Sequence, residues 1–298
     1  MSPIRKSWIE ERIKCDQIQG YTMTNLFQVP QESPEEKSQT PQKVWKYLTG
    51  IIEMEGIVHF TLVDPDLNFQ SLRSIKKCVQ IATAAGTDGI LVGGSTIADQ
   101  LAVEKVVQAI KENTDKPVII FPGNINAFTQ SANAVLFMSL LNSRNPYWII
   151  ESQVIGAPQL KLWNMETIPT AYVIIEPGGT AGYVGDVKLI PRMKPKIALG
   201  YALAAQMLGF KMIYFEAGSG ANQAVPPSMV KMVTDNIDIP LIVGGGINTE
   251  EDARQIAKAG ASAIVQGTYI EKECAKDGGA GLKRIITAAK QAAIENQS

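Results

Sequence analysis

Histidine is almost absent from this 298-residue chain; it occurs once, as His59. Acid–base chemistry near neutral pH would therefore fall to carboxylates, tyrosines or lysines. Cysteine is scarce too. Cys15, Cys78 and Cys274 are odd in number and widely spaced, which excludes a disulfide framework and a zinc pattern and points to a reducing cytoplasm. An excess of charge is missing: 28 Lys and Arg face 29 Asp and Glu, for a net charge of −1, which argues against nucleic acid as a partner. No apolar run reaches membrane-spanning length and no secretory signal is visible. The expectation is a soluble cytoplasmic protein, still free to work transiently at a membrane surface.

What is there is a core-forming composition. Hydrophobic residues make up 45% and charged residues 19%, enough to bury a full core and too apolar for disorder. Residues 1–40 differ. They are polar, contain Pro30 and Pro34, and carry a charged run over 32–37. They are expected to form a flexible extension, with the folded domain over 41–298.

From residue 44 the pattern becomes regular. Short apolar runs predict strands over 57–63, 89–92, 118–121, 134–137, 171–175, 212–215, 241–243 and 263–265. Helical stretches separate them over 69–85, 97–113, 146–163, 197–208, 227–236, from the Asn248–Thr249 cap onward, and over 280–295, with one more helix over 44–55 ahead of the first strand. Eight alternating units predict a (β/α)8 TIM barrel rather than an open doubly wound sheet. Only residues 122–133 lie between the third and fourth strands. That is tight for two loops and a crossover helix, so the third barrel helix is expected to be missing or reduced to a turn.

Chemistry in such barrels sits at the carboxyl ends of the strands. The sixth strand ends in Tyr214-Phe215-Glu216 and runs into Ala217-Gly218-Ser219-Gly220; the seventh runs into Gly245 and Gly246, the eighth into Gly267 and Thr268. Glycine-rich turns after the last two strands are the usual phosphate cup of this fold. Alternation puts Tyr214 and Glu216 on one side of their strand. Asp64 and Asp66 follow the first strand, where one or two acids can hold Mg²⁺. Ser95 after the second strand adds a hydroxyl, and Glu176 ends the fifth. Asp66 or Asn68 reads equally as a helix cap, and His59 reads as a core residue. The large apolar residues of 134–163 suggest an apolar slot beside the reduced helix, long enough for a hydrocarbon.

The stretches HFTLVDPD, GTDGILVGGST, NSRNPYWIIESQVIGAP, YVIIEPGGTAGYVGDVKLIPR, YFEAGSGA, PLIVGGGI and AIVQGTYIE, spread over about 44–295, resemble those of the geranylgeranylglyceryl phosphate synthases and the related heptaprenylglyceryl phosphate synthases. The long loop after the fifth strand is similar to that of the second of two subgroups, often dimers or hexamers. The resemblance implies a Mg²⁺-dependent prenyltransferase that joins sn-glycerol 1-phosphate to geranylgeranyl diphosphate through an ether bond, in archaeal membrane-lipid biosynthesis. It implies Asp64 and Ser95 at the Mg²⁺ site, Tyr214 to Gly220 with Gly245, Gly246, Gly267 and Thr268 around glycerol phosphate, and Glu216 with Tyr214 at the reacting hydroxyl. The same ether synthesis with another prenyl length is one alternative. An aldose–ketose isomerase using Asp64 and Glu176 is a second, and a non-catalytic phosphometabolite sensor is a third.

Overall fold

The computed structural model describes residues 42–95, 99–267 and 277–297. The expected extension over 1–40, Thr268 and Cys274 lie outside these residues.

A helix comes first, α1 (Lys43–Glu55), with Val44, Leu48 and Ile51 on its buried face. Eight parallel strands follow: β1 (Val58–Val63), β2 (Gly89–Val92), β3 (Val118–Ile120), β4 (Ala134–Leu140), β5 (Glu166–Ile174), β6 (Met212–Glu216), β7 (Leu241–Gly244) and β8 (Ala263–Gln266). Each pairs with the next, and β8 pairs back onto β1, so the sheet closes. The expected barrel is the observed one. Period-two alternation splits every strand: Phe60, Leu91, Ile119, Leu136, Ile168, Tyr214 and Val265 fill the interior, while Ile213, Phe215, Val243 and Ile264 face the helices.

The outer ring is formed by α2 (Leu72–Ala85), α3 (Gln100–Lys111), α4 (Ser152–Leu162), α6 (Pro195–Met207), α7 (Pro227–Thr234), α8 (Glu250–Lys258) and α9 (Ala280–Gln297). The start of α8 is the one its sequence suggests. Thr249 accepts from the Asp252 N–H and Asp252 reaches back to the cap, a full capping box. The cap of α2 is Ser71, not Asp66 or Asn68. Asp66 Oδ1 instead accepts from the backbone and side chain of Asn68, both at 2.9 Å.

Between β3 and β4 stands only a 3₁₀ turn, Ile125–Ala127, as the short spacing predicts. A one-turn π segment, Tyr147–Glu151, leads into α4, which leans over this gap. A Cβ on Gly156 of α4 would stand 2.5 Å from the Phe128 ring, so the ring and the helix backbone are in direct contact.

Two expectations are corrected. β5 starts at Glu166 rather than 171, because all seven residues of β4 find partners from Glu166 to Tyr172 and pairing overrides the Pro169 that reads as a break. The segment 176–194 is not a plain loop. It contains a short helix, α5 (Gly179–Val184). Asn142 pins it from the next strand connection: its Nδ2 donates to the Ile174 carbonyl at 2.8 Å and the Lys188 carbonyl at 3.1 Å, and its Oδ1 accepts from the Ile174 N–H.

The amino-terminal mouth is sealed by α1. Its buried side chains join the interior cluster, and Lys211 lies 5.3 Å from the Trp45 ring. The cap residue Gln42 makes no side-chain cap. Glu166 at the start of β5 replaces it, accepting from Val44 N at 2.9 Å and Trp45 N at 2.7 Å. Sealing that end leaves the carboxyl ends of the strands as the open face. No helix among the described residues is long and apolar enough to cross a membrane. Glu166→Ala should leave one buried and one part-buried helix donor without this partner and cost about 2 kcal/mol; an unfolding midpoint in denaturant equal to wild type would contradict this role.

Candidate functional site

Glu216, the last residue of β6, is 6% exposed. Tyr214 Oη donates to its Oε2 at 2.9 Å, and the Gly218 N–H donates to its Oε1 at 2.6 Å. Burial pushes its carboxyl above the usual range, and these two donors partly oppose that. Tyr214 and Tyr172 are held well above the ordinary tyrosine value, first by burial and then by the Glu216 charge.

The acid has room because β7 ends in glycine. A side chain on Gly244 would overlap Tyr214 Oη, and one on Gly245 would overlap Glu216 Oε1. Gly245 and Gly246 also adopt left-handed backbone, at φ 78° and 71°, which only glycine takes without strain. Their N–H groups donate to no acceptor among the described residues. Together with Ser219, Gly220 and Gly267 they line a polar cavity that also holds Tyr214, Glu216, Asp64 and Ser95.

Across the cavity, Asp64 follows β1. Its Oδ1 accepts from Asp66 N at 3.0 Å, while its Oδ2 lies over Gly94, where a Cβ would stand 2.5 Å away. Burial raises its carboxyl; the neighbouring charge of Asp66 adds to this, and the Asp66 N–H lowers it. Among the described residues no group of three or more His, Cys, Asp or Glu can cage a metal. Asp64 Oδ2 accepts no hydrogen bond among the described residues, and Ser95 lines the same cavity; a carboxylate with a hydroxyl in one cavity could hold Mg²⁺, which keeps its waters and is commonly shared with a phosphate ligand.

A second, apolar cleft opens from this cavity toward the β3–β4 gap. Ile125, Phe128, Phe137, Met138 and Trp148 line it. Gly94, Ser95, Phe121, Tyr172 and Ala181 belong to both spaces. At the junction three rings meet. Phe121 stacks on Tyr214 with centroids 5.3 Å apart, and Tyr172 stands edge-on to Phe121 at 5.6 Å and to Tyr214 at 5.1 Å.

The structure thus gathers Asp64, Ser95, Tyr214, Glu216, Ser219, Gly220, Gly245, Gly246 and Gly267 around one cavity. It separates others. The Phe215 and Ala217 side chains face the core between barrel and helices, as alternation requires, and Gly218 contributes its N–H to Glu216. Glu176 does not line the cavity; Arg192 N donates to its carboxylate at 3.3 Å and the Arg192 guanidinium to its carbonyl at 3.4 Å. His59 is a core residue, as expected. It is 1% exposed, and burial lowers its pKa to about 4; the hydrogen bond it donates to Gln266 opposes this and the Lys290 charge adds to it. Phe121, Ala181 and Gln266 were not singled out by the sequence. Phe121 and Gln266 are strand-end residues, and that position alone is the signal for them.

A glycine-lined polar cavity at the carboxyl rim of a barrel, adjoining an apolar cleft, is an arrangement that can take a phosphorylated head group together with a hydrocarbon. The chain belongs to the PcrB family, whose model matches residues 49–288. It is 52% identical over 230 residues to the geranylgeranylglyceryl phosphate synthase of Thermococcus gammatolerans, covering 77% of this chain and 90% of that protein. It is 51% identical over 229 residues to the synthase of Pyrococcus furiosus, with the same coverage of 77% and 90%. The crystal structure of (S)-3-O-geranylgeranylglyceryl phosphate synthase from Thermoplasma acidophilum, in complex with its substrate sn-glycerol-1-phosphate, is similar with a TM-score of 0.77 and 42% identity, over 82% of this chain and 98% of that one.

The buried acid generates a pH prediction. Glu216 titrates above its ordinary value of 4.5 in the folded chain. Above that pH the unfolded chain has lost the proton while the folded one keeps it, so stability falls as pH rises until Glu216 ionises in place. Glu216→Gln should flatten this decline and melt at or above the wild-type temperature at pH 7. A variant that melts lower than wild type at pH 7 would contradict the assignment.

Proposed function

We propose that this protein transfers a geranylgeranyl group from its diphosphate to a hydroxyl of sn-glycerol 1-phosphate, forming an ether and releasing diphosphate. The observation that carries the reading is the junction itself. A glycine-lined cup and a hydrocarbon cleft meet at three aromatic rings beside one buried carboxylate, in a chain half identical to synthases of that name.

The chemistry follows from where the groups stand. The N–H groups of Gly245 and Gly246 take the phosphate of glycerol phosphate, with Ser219, Gly220 and Gly267 around it. The prenyl tail enters the cleft past Phe121 and Tyr172, so the allylic carbon rests at the ring junction. Asp64 and Ser95 would hold Mg²⁺, whose charge when bound offsets that gathering on the leaving diphosphate. The allylic C–O bond breaks with its electron pair going to the diphosphate. The π faces of Phe121, Tyr172 and Tyr214 favour the positive charge left on the allyl group. Glu216 orients the glycerol hydroxyl and accepts its proton as the new C–O bond forms, and Tyr214 holds that carboxylate in place. A nearby base of modest strength suffices for a nucleophile meeting a cation. The donor is a lipid and the acceptor is water-soluble, so the reaction fits a cytoplasmic protein that meets the membrane surface transiently. Homo-oligomer formation and a place in archaeal ether-lipid biosynthesis belong to the same reading.

The isomerase reading needs Asp64 and Glu176 to face one substrate, yet Glu176 is engaged by Arg192 outside the cavity. Purified protein with Mg²⁺, sn-glycerol 1-phosphate and farnesyl, geranylgeranyl or longer prenyl diphosphates should release diphosphate, with the ether product identified by mass. No product with any donor would overturn the proposal. Asp64→Asn should raise the Mg²⁺ concentration needed for half-maximal rate by about tenfold; an unchanged metal titration would remove Asp64 from the site.

A further inference from the structure

Four polar side chains lie together, buried on the outer face of the sheet where β1, β2 and β8 meet. His59 and Thr61 of β1 alternate with the inward Val58 and Phe60, and Gln266 of β8 alternates with the inward Val265. Thr87 precedes β2. All four are at most 2% exposed. Burying such groups costs stability unless every one is hydrogen-bonded, and here they form one connected chain.

Its direction can be worked out. The Gln266 Nε2 donates to the backbone carbonyl of Ile247 at 2.9 Å. Its Oε1 therefore faces His59 Nε2 at 3.0 Å, and that nitrogen must carry the hydrogen. His59 Nδ1 is then bare and accepts from the Thr87 hydroxyl at 2.9 Å, which in turn accepts from Thr61 at 3.1 Å. Hydrogen bonds of one sense thus run from Thr61 of β1, through Thr87, His59 and Gln266, to the loop after β7.

The far end of this chain matters. Ile247 directly follows Gly245 and Gly246, the two left-handed glycines that line the polar cavity. Glycines in this conformation have no side chains to hold them, so the loop depends on its flanks. On the amino-terminal side Gly244 is fixed by the ladder and by the Ala217 N–H. On the carboxyl-terminal side the Gln266 amide holds the Ile247 carbonyl, one residue before Asp252 takes the Asn248 N–H at the start of α8.

We propose that Gln266 and His59 are positioning residues for the anion cup. Gln266 holds the Ile247 carbonyl, and His59 fixes the Gln266 amide in the orientation that allows it, so that the pair sets the affinity for the phosphorylated acceptor. The inference rests on the reading that the β7 glycines bind the acceptor's phosphate.

The test measures sn-glycerol 1-phosphate binding by calorimetry, with the KM for each substrate alongside. Gln266→Leu should weaken acceptor binding and raise the acceptor KM by about tenfold, with the prenyl diphosphate KM unchanged. His59→Leu should do the same from one step further away, and it serves if the first variant does not fold. His59→Gln, which can still donate to the Gln266 amide, should restore wild-type affinity. Ile264→Val, a packing change on the same face of β8, is the control; it should lower the melting temperature without moving either KM. Wild-type acceptor affinity in Gln266→Leu or in His59→Leu, beside a lowered melting temperature, would reduce the chain to a structural role and overturn the proposal. Wild-type protein that binds no sn-glycerol 1-phosphate would instead sink the reading of the cup, and this inference with it.

Discussion

A carboxylate kept out of water at the end of a strand needs donors, and it needs its neighbours to stand clear. Glu216 has both. Tyr214, two residues back on the same face, and Gly218, two residues on, supply the donors, while glycines at the end of β7 supply the space. The rest of the open face is arranged around this placement. Gly245 serves twice: it leaves room for the acid, and with Gly246 it lines the cavity through left-handed backbone that only glycine adopts without strain. Desolvation raises the proton affinity of Glu216, which destabilises the fold above the ordinary carboxylate range and suits the group to proton transfer.

The second constraint is what the barrel leaves out. Replacing a crossover helix with the turn Ile125–Ala127 removes one stave of the outer ring. The gap is only partly covered by α4 and by α5, and what remains is a cleft whose inner end is the ring junction at Phe121 and Tyr172. α1 closes the opposite mouth with its cap borrowed from Glu166, which leaves the carboxyl-terminal rim, where the polar groups stand, as the open mouth. The seal at one end leaves the carboxyl-terminal mouth open, and the gap in the outer ring opens a second space beside it; in the proposed reaction these take the head group and the tail.

Much of this was legible in the residues. Strand ends at Asp64, Glu216, Gly245 and Gly267 follow from short apolar runs that stop at polar or glycine residues, and twelve residues between two strands leave no room for a helix and its loops. Other features depend on tertiary partners. The start of β5 is decided by pairing with β4 across Pro169. α5 is rich in glycine and poor in helix formers, and it forms where Asn142 holds the surrounding segment. Phe215 and Ala217 sit within the right motif yet face the core, a distinction alternation makes for the side chains. Gln266 gave no signal beyond its position, because an amide at a strand end reads as surface until the histidine behind it is seen.

The account stands on one carboxylate lying between cup and cleft. The most direct measurement is a crystal structure with sn-glycerol 1-phosphate and an unreactive thio analogue of geranylgeranyl diphosphate. The account predicts the phosphate on the Gly245 and Gly246 N–H groups, a glycerol hydroxyl about 3 Å from Glu216, and the tail running past Phe121 and Tyr172 into the β3–β4 gap. A tail lying elsewhere on the rim, or a glycerol hydroxyl turned away from Glu216, would contradict it.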